Sequence, residues 1–68
     1  MRLEIADLTE FGRLQLEDDY ASVQRRAGGK TSREDFALGW MAMAVRHRLW
    51  SYFSARARHR LEEVALTP

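Results

Sequence analysis

Between Phe36 and Leu61, apolar and charged residues recur at a spacing that fits a helix but gives it two apolar sides. At about 100° per residue, Phe36, Trp40, Met43, His47, Trp50, Ala57 and Leu61 fall on one stripe. Leu38, Met41, Val45, Leu49, Tyr52 and Phe53 form a second stripe nearly opposite, with Arg46 and Arg48 in the gaps. A helix on the surface of a domain carries one apolar stripe; two stripes call for burial from two directions.

Upstream, Leu8, Phe11, Gly12, Leu16, Tyr20, Val23 and Ala27 recur near helical spacing and predict a first helix over about residues 8–27. Asp7 and Glu10 have the spacing of a capping box at its start. Arg25 and Arg26 suit the negative end of the helix dipole, and Gly28 and Gly29 supply a left-handed stop. Thr31 and Glu34 repeat the capping-box pattern, with Glu34 and Asp35 in the first turn of a second helix expected over about residues 32–65. Gly39 interrupts it at a cost of about 1 kcal/mol against alanine and marks a candidate close helix crossing. Thr67 and Pro68 end the pattern. The chain shows no strand alternation, internal repeat or low-complexity segment.

The fold expected is therefore all-α, with residues 1–68 as a single small helical domain. One helix from the same chain cannot cover both stripes of the second. The segment VRHRLWS holds neither glycine nor proline to turn the chain, which favours an unbroken second helix. The first helix then covers one stripe and a second copy of the chain the other. Two such helical hairpins make a homodimeric four-helix bundle. The alternative is a break near residues 46–51 and a monomeric three-helix domain.

Size sharpens this expectation. A chain of 68 residues buries only about 60% of its unfolded surface, and small folds usually add disulfides, a metal or a partner. Cysteine is absent, which removes disulfides and fits a reducing compartment. A hydrophobic share of 46% beside 31% charged residues excludes a disordered composition. No apolar run is long enough for a membrane span. The opening MRLEIADLTE has acids where a secretory signal has its apolar core, so a cytoplasmic location is expected. Charge is divided unevenly: residues 1–20 hold six acids against two arginines, and residues 21–68 hold nine basic residues against four acids. The two halves complement one another if they pack antiparallel.

Candidate chemistry is sparse. GGKT at residues 28–31 has the look of a phosphate-loop ending, but Gln24 stands where that loop needs its first glycine and a helix precedes it. A helix stop followed by a helix start explains it. His47 lies between Trp40 and Trp50, and His59 is three turns further on, too far to share a metal along one helix. Glu17, Asp18 and Asp19 lack the glycine turn and ligand spacing of a calcium loop. Ser22, Ser32, Ser51 and Ser54 have no nucleophile context. No catalytic, cofactor-binding or metal-binding residue is assigned, and the protein is expected not to be an enzyme.

The function expected is a non-enzymatic protein-binding module: an adaptor, assembly factor or small accessory subunit. Its interface residues would be Trp40, Met41, Val45, Leu49, Trp50, Tyr52 and Phe53, since aromatic residues and methionine are enriched in interfaces. The expected partners are a second copy and a larger protein, with no membrane and no small-molecule substrate. The alternative is a small dimeric nucleic-acid-binding regulator using Arg46, Arg56, Arg58 and Arg60, whose guanidinium groups fit phosphates.

Overall fold

The computed structural model describes residues 2–66, with side chains through Val64; the stop expected at Thr67 and Pro68 lies outside them. Three α-helices, α1 (Glu10–Ala27), α2 (Arg33–Arg46) and α3 (Ala55–Leu66), are accompanied by two 3₁₀ turns, Ile5–Asp7 and Trp50–Tyr52. The described residues are all-helical, as the periodicity predicts.

The first helix starts at Thr9, whose hydroxyl accepts from the Gly12 N–H. Asp7, expected as that cap, instead closes the preceding 3₁₀ turn with Glu4. At the other end Gly28 is left-handed (φ 69°), and its N–H and that of Gly29 both donate to the Gln24 carbonyl. The Gln24 side chain accepts from the Thr31 N–H and Thr31 accepts from the Tyr20 hydroxyl, which fixes the turn into α2. Ser32, one residue past the expected Thr31, caps α2.

The unbroken helix over 32–65 is not what forms. α2 stops at Arg46, and eight residues intervene before Ala55. The stop is a Schellman motif: the Arg48 N–H donates to Val45 and the Leu49 N–H to Ala44, with Arg48 in the left-handed region at φ 56°. Glycine usually fills that position. A non-glycine residue there costs roughly 1–2 kcal/mol, and the packing beyond the break outweighs that cost. Phe53 lies wholly inside, at the centre of a core of Leu8, Leu16, Ala37, Met41, Ala44, Ala57 and Leu61. Three members of that core are alanines, small side chains that allow close helix approach. The expectation of an intermolecular four-helix bundle loses its premise, because the break lets one chain cover much of both stripes; the three-helix alternative fits.

Placing glycine at the break relieves the strained backbone. Arg48→Gly is expected to raise stability by about 1 kcal/mol, a gain of roughly 4–8 °C in Tm for a domain of this size. Thermal unfolding followed by circular dichroism checks it.

The N-terminal segment straps the break in place. The Thr9 N–H donates to the Tyr52 carbonyl (2.9 Å) and the Ser54 N–H to the Asp7 carbonyl (2.8 Å), around an antiparallel bridge between Leu8 and Phe53. The Asp7 carboxylate, largely covered, receives Arg60 of α3 at 2.6 Å. Gly12 lies directly on the Trp50–Tyr52 turn, with no room for a side chain.

Candidate protein-binding face

Once the core is complete, large apolar side chains remain outside it. Met43 is 53% exposed, Leu38 50%, Leu49 41% and Phe11 59%. Several of them adjoin. Trp40, half-buried, stacks on Tyr52 with ring centres 5.2 Å apart, and Phe11 tilts against Tyr52 at 5.4 Å. Met43 and Leu49 line the same groove as Trp40 and Tyr52, with His47 and Asp19 at its rim. A second depression continues past Trp40 and Met43 to Gly39, Phe36 and Asp35. The Trp40 indole N–H donates to Asp19 at 2.8 Å, so the ring is held in one orientation by α1.

The local reason is the order of stripes on α2. Ala37, Met41 and Ala44 point into the core. Phe36, Trp40, Met43 and His47 follow on the flank towards α1, while Leu38 and Val45 flank the other side, beside Leu3 and Leu61. α1 is too narrow a cover: its buried face is Gly12 and Leu16, and Phe11, read from the sequence as part of that face, stays outside.

Of the residues expected at an interface, Trp40, Val45, Trp50 and Tyr52 are half-buried against the core and Leu49 is exposed. Met41 (4% exposed) and Phe53 pack inside the chain and present no surface. Met43, Leu38 and Phe11 are open positions outside that expected set, as are Leu14 and Val64. Their signal was present for α2: neither Met43 nor Leu38 can be buried by a helix that covers Ala37, Met41 and Ala44.

The arginines do not converge. Arg46, Arg56 and Arg58 are exposed, with Arg56 and Arg58 on opposite flanks of the buried Ala57–Leu61 line of α3. Arg60 is engaged by Asp7. His59 meets Glu63 one turn on, at 3.1 Å. Between α1 and α2 Glu17 pairs with Arg33, raising the guanidinium above its ordinary pKa, first by hydrogen bonding and then by charge. Such an exposed pair contributes little to stability. Among the described residues no three potential ligands gather where a metal ion would fit, and no helix is long and apolar enough to cross a membrane.

The chain matches no protein-family model, no curated protein and no solved structure.

Proposed function

We propose that this protein is a non-enzymatic protein-binding module, an adaptor, assembly factor or small accessory subunit, working through the open face of α2 and the adjoining aromatic groove. One observation carries the reading: Met43, Leu49 and Phe11 stay at least 41% exposed around Trp40 and Tyr52 in a structure whose core is already closed. Apolar residues scattered singly over a surface need no explanation, but contiguous ones mark interaction sites. Trp40 and Tyr52 suit the role of anchors because their rings are fixed before a partner arrives, which reduces the ordering cost of binding.

A photo-crosslinking amino acid at Leu49, in the chain expressed in its own host, is expected to give discrete protein adducts. Met43→Glu should abolish them and leave the circular dichroism spectrum unchanged. No adducts, or adducts indifferent to Met43→Glu, would remove the reading. Adducts with nucleic acid, lost steeply as salt rises, would transfer the function to Arg46, Arg56 and Arg58.

A further inference from the structure

The face of α2 turned away from the core has an order that the monomer does not use. Asp35, Gly39, Ala42 and Arg46 are all exposed and follow one another at intervals of four, three and four, the spacing of a seam between two helices. Two of the four are small. Gly39 has nothing within 4 Å of where a Cβ would stand, so no contact within the chain requires glycine there. Mid-helix glycine is unfavourable by roughly 1 kcal/mol relative to alanine. Its position among exposed residues, bordered by Met43 and Trp40, is where another backbone can approach closely. Asp35 and Arg46 stand at opposite ends of the seam, and neither side chain has an ion-pair partner among the described residues.

Turned end for end, this seam matches itself. With a two-fold axis passing between Gly39 and Ala42, Gly39 of one copy faces Ala42 of the other. In that same register Asp35 faces Arg46 at both ends. Leu38 then lies near Leu38 of the second copy on one flank, and Met43 near Met43 on the other. Self-complementarity under a two-fold rotation is what a closed homodimer requires, and a parallel arrangement would instead set Asp35 against Asp35. We infer that the open face of α2 takes a second copy of this chain, α2 against α2 antiparallel, crossing at Gly39 and Ala42. This inference rests on the protein-binding reading above and names its partner.

Sedimentation velocity over a dilution series, with charge-reversal variants, tests it. The wild-type chain is expected to show a monomer–dimer equilibrium. Asp35→Arg and Arg46→Asp should each weaken the dimer by roughly tenfold or more, through like charges brought face to face, and the double reversal should restore it. Gly39→Ala should raise the Tm, as helix propensity requires, while weakening the dimer. Gly39→Leu should abolish the dimer with the helical spectrum retained. A chain that stays monomeric up to roughly 1 mM, where any association worth about 4 kcal/mol would show, overturns the inference. So does a dimer unmoved by either reversal, which must use another face. If the monomeric chain still gives Met43-dependent adducts with a different protein in its host, only the second copy is wrong. If it gives none, the protein-binding reading falls with it.

Discussion

Gly12→Ala is expected to destabilise the fold by about 2–3 kcal/mol, a fall in Tm of roughly 10–20 °C at this chain length. Alanine would favour the helix by up to about 1 kcal/mol on propensity alone, so the sign rests on packing. A Cβ at Gly12 would press into the Tyr52 carbonyl oxygen and stand 3.0 Å from the Tyr52 Cα. Both are backbone atoms, and the same carbonyl is held by the Thr9 N–H. Neither side can yield without moving α1 off the Trp50–Tyr52 turn or breaking the strap that holds α3. Thermal unfolding of the variant decides it, and an unchanged or higher Tm would mean that α1 does not seat on that turn.

Phe53→Ala has a larger expected effect. Truncating a wholly buried phenylalanine costs about 3–5 kcal/mol. A chain of this length has roughly 3–10 kcal/mol of total stability. The variant should be largely unfolded at room temperature, or unfold at a urea concentration far below that of the wild type. Phe53→Leu, which leaves a smaller cavity, should retain a cooperative transition. A wild-type urea midpoint for Phe53→Ala would show that the core is not organised around this ring.

Much of the helical content was legible because its signals are local. Gly28 and Gly29 end α1 where expected, since two left-handed glycines after two arginines admit few other readings. The caps moved by one or two residues, from Asp7 to Thr9 and from Thr31 to Ser32, because several oxygen-bearing residues stand together and packing chooses among them. The break in the second helix, near residues 46–51, was legible only as the alternative to an unbroken helix. Its only local mark would have been glycine at position 48, where the chain has arginine. What imposes the turn is distant in sequence: Leu8 and Thr9 bind the far side of it, and Phe53 has a core to enter.

The two-sided pattern from Phe36 to Leu61 belongs to a straight helix, which the chain does not form. Because the turn rotates α3, Ala57 and Leu61 join Met41 and Phe53 in one core rather than lying on an opposite stripe. The candidate face suffered from the same cause. Met41 and Phe53 counted as surface in a straight helix, whereas the bend takes them inside and leaves Met43 and Leu38 open.

The strap also orders events in time. α1 and α2 are joined by a short turn and can pair as soon as both exist. The bonds that seat the last helix span 43 residues from Thr9 to Tyr52 and 53 from Asp7 to Arg60. Closing so long a loop costs only slightly more free energy than closing a short one, but contacts this distant in sequence are slow to find. Residues 7–9 have no backbone partner until Phe53 and Ser54 come within reach. The α1–α2 hairpin is therefore expected to form ahead of the rest in refolding, and the fold locks only when residues 7–9 capture the Trp50–Tyr52 turn and α3.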